Sequence, residues 1–492
     1  MTDNPDSSPT TESERYLTRL CRQSFLRLWS WPNVYRDERS NGTVSKEICD
    51  LLVVFDKHII IFSDKDCEFP DTGRLELDWS RWFKKAVVKS AQQVWGAERW
   101  IQQHPDRIFI DKYCETRFPF PLPSSQERTF HRIVVAHGSA DRWMKLCGTS
   151  GSLTIQPDMV ADDHLDPSRP NFKPFSIGRL SSSKGFVHVL DDFSLDVLIQ
   201  TLDTAADLIR YLQLRADLIL SKKLLFAPGE EDLLAYYLRN GDQKGQHYFR
   251  VPKGRRLVVA EGSWNYFHNH AERRAQLQAN EISYAWDELI EGFCKHLLEG
   301  TQYYHRTPDG SHQEVALRFL AREGRLRRRM LAKALIRTME LGTKQGQMIR
   351  MIPANKHGDP HYVFLTHQHE ESRSYDEYRT GRGNVLYACC LVTRLLHHNA
   401  QHVVGIATEP ISSAPELSED LMYFDGSWWN DQLAAEATHL RNLYGILLNP
   451  TVREITEPEY PLQRNLEMEK GRNRNQPCHC GSGKKFKKCH GS

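Results

Sequence analysis

The C-terminal segment carries the side chains whose types and spacing indicate chemistry most directly. It reads QPCHCGSGKKFKKCHGS, with a Cys-x-Cys pair, an eight-residue loop and an adjacent Cys-His pair. Three thiolates and one imidazole in two clusters suit tetrahedral zinc, and a Gly-Ser-Gly turn lets the chain fold back between the clusters. Because this segment is too short to bury a hydrophobic core of its own, metal ligation would supply its folding energy. We predict that the zinc ligands are Cys478, Cys480, Cys489 and His490.

These residues resemble the SEC-C motif, which is found at the C-terminus of the preprotein translocase motor SecA and in many unrelated bacterial proteins. The resemblance covers residues 476–492 and implies a zinc-stabilised interaction module that contacts a protein partner or the ribosome. All four ligand positions are filled, which implies a closed structural site. Nothing else in the chain resembles the motor, and the phosphate-loop pattern G-x-x-x-x-G-K-[ST] is absent from the sequence.

A second group of reactive side chains lies in the stretch KEICDLLVVFDKHIIIFSDKD, residues 46–66. Two runs rich in β-branched residues, joined at an Asp-Lys dipeptide, predict a β-hairpin. If that dipeptide forms a two-residue turn, Asp50 lies opposite Ser63, and Lys65 points to the same face of the sheet. The pattern therefore predicts a carboxylate and a lysine side by side at the open end of the hairpin.

This hairpin, with residues 12–115 around it, resembles the PD-(D/E)XK nuclease fold. In that family a carboxylate on one strand and a second carboxylate two residues before a lysine hold a divalent metal. The resemblance implies that Asp50 is the first carboxylate, that Lys65 is the lysine, and that the metal is Mg²⁺ or Mn²⁺. Such a metal lowers the pKa of a bound water and stabilises the developing charge, while the lysine orients the nucleophile or screens the phosphate.

The sequence departs from the family pattern at the second carboxylate, where it has Ser63. A serine hydroxyl is a weak magnesium ligand, so another group must supply the missing oxygen if the site is active. Glu47 is the first candidate and Asp64 the second, although a three-residue turn that set Asp64 opposite Asp50 would turn the lysine away. Two further carboxylates are in reserve, namely Asp66 and Glu68.

A helix predicted over residues 79–103 would add Gln93 to this site, because a helix in several nuclease branches contributes a Gln or Lys there. Amphipathic helices also place Gln on solvated faces, so this assignment rests on the resemblance. Three interpretations of the whole constellation stay open. They are an active nuclease, an inactive nuclease-like fold used for binding, and an ordinary buried hairpin with charged ends.

A basic segment from Arg318 to Arg337 carries enough local charge to contact several phosphates. Its apolar stripe shows that one face packs inward, so a solvated basic face is the alternative. The residues that would bind nucleic acid are Arg325, Arg328, Arg329 and Lys333.

Three histidines in the stretch PHYVFLTHQHEE have the alternate spacing that could ligate a metal from one face of a strand. They are His361, His367 and His369. No carboxylate of matching spacing accompanies them, so we attribute this pattern to chance among 22 histidines.

The helices and strands predicted around these residues indicate a mixed α/β fold. A chain of 492 residues exceeds what one hydrophobic core usually serves, so we expect several domains. A helix that ends at Pro32, the hairpin, a second helix and the strands RIFID and HRIVVAH predict a small α/β domain, which the resemblance implies is restriction-endonuclease-like. The stretches HYVFLT and HVVGIAT predict strands further on. We expect a disordered tail over 1–14, the nuclease-like domain over 15–120, an α/β extension with a long helix over 121–224, a mixed α/β domain of unknown role over 225–462, a linker over 463–475 and the zinc motif over 476–492.

Composition bounds the class of protein. Hydrophobic residues make up 40% of the chain and charged residues 26%, which is typical of a folded protein. The apolar runs are interrupted by charge, and the N-terminus lacks the features of a signal peptide, so we expect a cytoplasmic protein without a membrane span. A net charge of +2 is too small to indicate nucleic-acid binding by itself.

The function that these patterns favour is metal-dependent cleavage of phosphodiester bonds in nucleic acid, targeted or regulated through the zinc motif. By analogy with how such nuclease modules are used, we expect a role in defence against foreign DNA. The alternative is a non-catalytic adaptor in which the hairpin is only core and the zinc motif recruits a protein or the ribosome. The choice between DNA and RNA, the identity of the partner and the oligomeric state do not follow from the sequence.

Overall fold

The computed structural model describes residues 12–38, 45–148, 151–242, 245–301, 311–369, 372–411 and 417–461. It is mixed α/β, 46% helical and 20% strand, which confirms the predicted fold class. The described residues form two compact units. We call residues 12–278 with 458–461 the N-terminal unit and residues 279–457 the C-terminal unit. The predicted linker and zinc motif lie outside the described residues.

The N-terminal unit combines nine strands with nine α-helices among its described residues. Its strands are β1 (Ser30–Arg36), β2 (Lys46–Phe55), β3 (His58–Lys65), β4 (Thr129–Ala136), β5 (Thr154–Val160), β6 (Ser176–Arg179), β7 (Val187–Leu190), β8 (Leu224–Phe226) and β9 (Leu257–Val258). Its helices are α1 (Glu12–Trp29), α2 (Leu75–Phe83), α3 (Lys89–Gln103), α4 (Ala140–Cys147), α5 (Asp192–Thr201), α6 (Ala205–Leu220), α7 (Glu230–Leu238), α8 (Ser263–His268) and α9 (Ala271–Asn280).

A five-stranded sheet in the order β1-β2-β3-β4-β7 is the centre of this unit. Strands β1, β2 and β3 are antiparallel, whereas β3, β4 and β7 run parallel to one another. One face packs against α2, α3 and the π-helical turn between them, Lys84–Val88, through apolar side chains such as Trp82, Val87 and Val94. The α1 helix contacts β1, β2 and β3, and its Trp29 ring meets Phe55 edge-on at 5.1 Å on the opposite face. Helices therefore cover both faces of the sheet.

The β2–β3 hairpin has the predicted two-residue turn. Phe55 pairs with His58, and the pairing continues to Leu51 with Phe62. Asp56 adopts a positive φ of 54°, a conformation that Asp tolerates better than most residues and that such tight turns require. The strand residues between these ends are buried, because helices cover both faces. The predicted hairpin is confirmed.

Three predictions about the first 225 residues were wrong. The sequence reading ended the first helix at Pro32 and missed β1, which lies at the edge of the sheet, where a proline is tolerated because its missing N–H is not needed for a neighbour. The stretch RIFID, read as a strand, makes only isolated bridges at Phe109. The long helix predicted after Ser194 is two helices, α5 and α6, and Thr204 caps the second by accepting from the Asp207 N–H.

The predicted domain boundary at residue 225 is not a division of the structure. Leu224, Leu233 and Leu257 belong to the same buried cluster as the α2–α3 face of the five-stranded sheet. The β8 strand also pairs in parallel with β9, which keeps residues 224–258 together. The division between the two units falls within α9, at Ala279.

The C-terminal unit has one four-stranded sheet among its described residues, in the order β10-β11-β12-β13. Its strands are β10 (Gln347–Ile352), β11 (His361–His367), β12 (His402–Thr408) and β13 (Asp420–Asp425). Its helices are α10 (Tyr284–Glu299), α11 (Ser311–Ala321), α12 (Arg325–Gln345), α13 (Tyr375–Leu396) and α14 (Asp431–Leu443). The two predicted strands, HYVFLT and HVVGIAT, are the parallel central pair β11 and β12, which α13 connects.

Three buried histidines lie on neighbouring parallel strands of the N-terminal unit. His58 and His131 approach to 3.1 Å between ring nitrogens, and the His188 ring centre lies 6.5 Å from that of His131. Burial lowers the pKa of His58 to about 4 and, with the neighbouring His58, the pKa of His131 to about 3. Burial lowers the pKa of His188 as well. The folded protein therefore holds all three imidazoles neutral at neutral pH.

Acid should unfold this unit in a characteristic interval. Because the unfolded histidines take up protons below about pH 6.5 and the folded ones do not, the free energy of unfolding should fall as pH drops from 6.5 towards 4, by about 1.4 kcal/mol per pH unit for each such histidine. The His131→Leu variant should show a shallower decline in urea unfolding across that interval. His104→Leu, at a partly exposed site beside Trp100, is the matched control. An unchanged slope in His131→Leu would contradict this account.

Candidate functional site at the strand ends

Several polar and charged side chains meet at one edge of the five-stranded sheet. The parallel strands β3, β4 and β7 end there, and the antiparallel strand β2 begins there. The residues at this edge are Asp50 on β2, Ser63 and Lys65 on β3, His137 just after β4, and Asp192 at the start of α5. Side chains that lie far apart in sequence thus come together because of the strand order.

The hairpin register sets which of these side chains share a face. Continuing the observed pairing beyond Leu51 and Phe62 sets Asp50 opposite Ser63, as predicted. Lys65, two residues further on β3, points to the same face of the sheet. This is the face that α3 covers, and the Lys65 side chain is exposed at its rim.

Gln93 on α3 reaches this face. The Ser63 hydroxyl donates a hydrogen bond to Gln93 Oε1 at 3.0 Å. Ser63 is 1% exposed, whereas Gln93 is exposed, so the bond joins the covered end of the site to its open side. Gln93, which the resemblance assigns to the site, therefore contacts Ser63, a second residue of that site.

The carboxylate of Asp50 is held by the backbone of the neighbouring strand. The Asp64 N–H donates to Asp50 Oδ2 at 2.5 Å. A hydrogen bond from a backbone amide to a charged carboxylate is among the stronger kinds, and it fixes the orientation of the acceptor. Asp50 is half-buried, so its position is set while it remains within reach of solvent.

Glu47, the first candidate for the missing oxygen ligand, lies exposed at the start of β2. The pairing of β1 with β2 shifts by one residue there, so that Ile48 is an extra residue between Glu47 and Cys49. Such bulges re-aim side chains near the ends of strands. Burial raises the pKa of the Cys49 thiol most, and the negative charges of Asp50 and Glu47 raise it further. Both carboxylates are therefore close enough to Cys49 to affect its ionisation.

Asp64, the second candidate, is directed to the opposite face. Its side chain is 2% exposed, and Oδ1 accepts from His137 Nε2 at 2.5 Å. His137 Nδ1 in turn donates to Asp192 Oδ1. An ionised carboxylate only accepts hydrogen bonds, so an imidazole between two of them donates from both nitrogens and carries a positive charge. Asp64 is therefore engaged in an ion network on the α1 side of the sheet.

Burial opposes the charged form of His137, but hydrogen bonds to Asp192 and Asp64 outweigh it and raise its pKa to about 10. The same network lowers the pKa of Asp192, where burial is offset by the bond to His137. The sequence reading missed both residues. The sequence signal that could have indicated this site is the His-Gly pair directly after the strand HRIVVA. A glycine is required there, because Gly138 has a φ of 96° and a Cβ on it would lie 2.2 Å from the Cys67 carbonyl oxygen.

The basic helix α12 does not present the predicted charges to a ligand. Arg328 and Arg329 are 0% and 1% exposed. Arg325 and Arg328 each bond to one carboxylate oxygen of Asp287, at 2.8 and 2.7 Å. Lys333 is more exposed but pairs with Glu457 at 2.8 Å. These side chains are paired within the protein, with the partly exposed carboxylates of Asp287 and Glu457 and, for Arg328, with backbone carbonyls, so the structure does not favour the predicted nucleic-acid binding.

Comparison with protein families identifies the C-terminal motif. Residues 474–492 match the SEC-C motif. The chain therefore carries a motif of the zinc-binding type, over a small part of its length. Comparisons with curated proteins and with solved structures give no match.

The described residues contain neither a group of metal ligands nor a helix that could span a membrane. The predicted ligands Cys478, Cys480, Cys489 and His490 lie outside them. Within those ranges no three His, Cys, Asp or Glu side chains form a group that could hold a metal ion. No helix in the same part of the chain is long and apolar enough to cross a membrane.

The ion network of His137 should make stability depend on pH in the alkaline range. Since its pKa is raised from 6.5 to about 10, its contribution is complete below pH 6.5 and is lost as pH rises through about 10. The His137→Gln variant should be less stable by on the order of 3 kcal/mol at pH 6, and this difference should shrink towards pH 10. Urea unfolding of both proteins from pH 6 to pH 11 measures it. A difference that stays constant over this range would contradict the assignment of a buried imidazolium.

Proposed function

We propose that the N-terminal unit is a metal-dependent nuclease whose site contains Asp50, Ser63, Lys65 and Gln93. The observation that carries the proposal is the hydrogen bond between Ser63 and Gln93, because it joins the helix to the hairpin at the position where the resemblance requires a ligand. The hairpin register supports it, since Asp50 and Lys65 fall on the same face at the same edge. As part of the same proposal, the nuclease domain spans residues 15–120.

The donor atoms at this face fit a hard divalent cation. Asp50 offers a carboxylate, Ser63 a hydroxyl and Gln93 an amide oxygen, with the carboxylate of Glu47 nearby on β2. Mg²⁺ takes oxygen ligands and commonly binds through one or two carboxylates while it keeps several waters. When bound, Mg²⁺ or Mn²⁺ would lower the pKa of a water and neutralise charge on the phosphate.

The chain's own residues would divide the remaining tasks. Asp50 is held in place by the Asp64 N–H, so its carboxylate is pre-oriented before any ligand arrives. Lys65 is exposed at the strand end and would contact a phosphate oxygen of the substrate. Gln93 holds Ser63 by accepting its hydroxyl hydrogen at Oε1 and would orient a water or the phosphate with its two amide hydrogens.

The C-terminal motif would supply targeting rather than chemistry. Three thiolates and one imidazole, from Cys478, Cys480, Cys489 and His490, are the ligand set of a closed structural zinc site. We propose that this module contacts a protein partner or the ribosome, that the protein acts in the cytoplasm, and that it serves in defence against foreign nucleic acid. DNA and RNA are both open as substrates.

One specific observation favours the adaptor instead. Ser63 takes the place of a carboxylate, and the nearest buried carboxylate, Asp64, is bound to His137 on the other face. A site with one well-held carboxylate binds a metal weakly, so an inactive nuclease-like fold that recruits a partner is the second candidate function. Replacement of Asp50 distinguishes the two functions, because a nuclease would lose its cleavage activity and an adaptor would lose no specific activity.

Replacement of Asp50 or Lys65 should abolish cleavage. Asp50→Ala and Lys65→Ala should each lower the rate of cleavage of plasmid, single-stranded DNA or RNA by roughly 100-fold or more with Mg²⁺ or Mn²⁺, because the first removes a charged ligand of the metal and the second removes a cation at the phosphate. The matched controls are Asp56→Asn and Lys57→Ala, the same residue types at the closed end of the same hairpin. Equal activity in wild type and Asp50→Ala would exclude this site, and no cleavage by wild type would favour the adaptor.

Restoring the second carboxylate should strengthen metal binding. The Ser63→Asp variant should lower the Mg²⁺ concentration for half-maximal cleavage by roughly tenfold, because a carboxylate is a much better ligand than a hydroxyl. Ser63→Ala is the control, since it removes the hydroxyl without adding charge and should raise that concentration. A Ser63→Asp protein that is folded but needs the same Mg²⁺ concentration would show that residue 63 does not contact the metal.

Removal of one thiolate should release zinc. The purified chain should contain one equivalent of zinc by elemental analysis, and Cys480→Ser should lose it, because a structural site needs all its ligands. Cys147→Ser, at the exposed end of α4, is the control and should keep the metal. Zinc retained in Cys480→Ser would contradict the ligand set.

A further inference from the structure

Three exposed lysines lie on the helical segment that covers one face of the five-stranded sheet. They are Lys84 and Lys85 in the π-helical turn and Lys89, the first residue of α3. Between Asp78 and Glu98 the sequence has no acidic residue, so every charge on the solvent side of this segment is positive. We call the three lysines the lysine face.

The π-helical turn brings these positive charges together. The Lys89 N–H donates to the Lys84 carbonyl oxygen five residues back, which is the hydrogen bond that defines such a turn. Ala86 and Val87 in the same turn are buried, whereas the two lysines before them are exposed. Turns of this kind are rare and occur frequently at functional sites. The backbone therefore directs neighbouring positive charges outwards at one place.

The described residues do not neutralise the lysine face. None of its three ammonium groups forms an ion pair within the part of the chain that the structure describes. The two carboxylates that bracket the segment are bound elsewhere. Asp78 accepts from the N–H and the hydroxyl of Thr72, at 2.8 and 2.7 Å, and Glu98 accepts from Arg132. Neighbouring like charges repel one another, so an anion bound here relieves repulsion as well as adding attraction.

The lysine face lies beside the strand-end site. Trp82, which precedes it in the chain, donates from Nε1 to two carbonyl oxygens just beyond the ends of β3 and β4, at 3.1 Å each. Gln93, which follows it on α3, contacts Ser63 in the site. The lysine face falls between these two fixed points, so a polyanion bound along it reaches the site at its open side.

A nucleic acid fits this face better than a membrane does. The apolar side chains of the same segment pack against the sheet, with Trp79, Trp82 and Val94 no more than 1% exposed. A helix that lies in a membrane surface needs an exposed apolar face to insert. Recognition here therefore rests on charge and hydrogen bonding, which suits a chain of phosphate groups.

We propose that the lysine face binds the phosphodiester backbone of a nucleic acid and guides it to the strand-end site. The inference rests on the proposed function for the identity of that site. A lysine ammonium group binds phosphate as a point charge, and phosphate contacts position a nucleic acid without reading its sequence. Binding through this face should therefore be independent of sequence and should weaken as the salt concentration rises.

The test is fluorescence anisotropy of the full chain with labelled duplex DNA, single-stranded DNA and RNA over a range of NaCl concentrations. Mg²⁺ and Mn²⁺ are left out, so that binding is measured without cleavage. The unmodified chain should bind at least one of these probes, and the variant Lys84→Gln/Lys85→Gln/Lys89→Gln should bind it roughly tenfold or more weakly. The slope of log K against log [NaCl] should become shallower by about 2 to 3, because each phosphate contact contributes about 0.9 for duplex DNA and about 0.7 for single strands.

The matched control replaces three exposed lysines on other parts of the same unit, in the variant Lys57→Gln/Lys223→Gln/Lys253→Gln. Both variants lower the net charge by the same amount, so a difference between them reports where the charge lies. All the replaced side chains are exposed, and circular dichroism should show both proteins folded. Equal affinity and equal slope in the two variants would overturn the proposal, and so would absence of nucleic-acid binding by the unmodified chain.

The same measurements separate this inference from the proposed nuclease activity. Cleavage by the unmodified chain with Mg²⁺, together with equal binding by the two triple variants, would support the nuclease and overturn the role of the lysine face. Binding that depends on the lysine face, without cleavage in Mg²⁺ or Mn²⁺, would support this inference and assign the site to an inactive fold. Binding to phosphatidylserine vesicles without binding to nucleic acid would assign the face to a membrane and overturn the inference.

Discussion

The pairing of β2 with β3 is the constraint on which the candidate site depends. Alternate residues of a strand point to opposite faces, so a shift of one residue in this pairing would exchange the faces that Asp50 and Ser63 share. The two-residue turn at Asp56 prevents the shift, and helices on both faces make any other register bury the wrong side chains. The chemistry at the open end of the hairpin is thus determined at its closed end.

The same register separates two kinds of charge. On the α1 face, the Asp64 carboxylate is buried and must be paired, and His137 and Asp192 pair it through a shared imidazolium. On the α3 face, Ser63 is neutral and is satisfied by Gln93. The backbone of Asp64 links the two faces, because its N–H holds Asp50 while its side chain holds His137. The network on one face therefore helps to position a carboxylate on the other.

The sequence predicts the parts of this arrangement that depend on neighbouring residues, and it does not predict those that depend on residues far apart in the chain. The hairpin and its register follow from local turn chemistry and from two runs of β-branched residues, and both are confirmed. His137 was missed because it joins the site through the parallel pairing of β3 with β4, across more than sixty residues of intervening chain. The misreading of α12 has the same cause, since its partner Asp287 lies on a different helix and no periodicity reveals it. Edge strand β1 was missed for a local reason, its proline.

The two candidate metal sites of this chain differ in the atoms that they offer. The strand-end site offers oxygen atoms, and the sequence of the C-terminal motif offers mainly thiolates. Zinc prefers thiolate and imidazole and would fill the C-terminal motif first. Mg²⁺ would not bind there and would be left to the oxygen site. A single chain can therefore hold a hard and a borderline ion at the same time without exchange between their sites, provided that the ligand atoms and not the charges alone decide which ion each site binds.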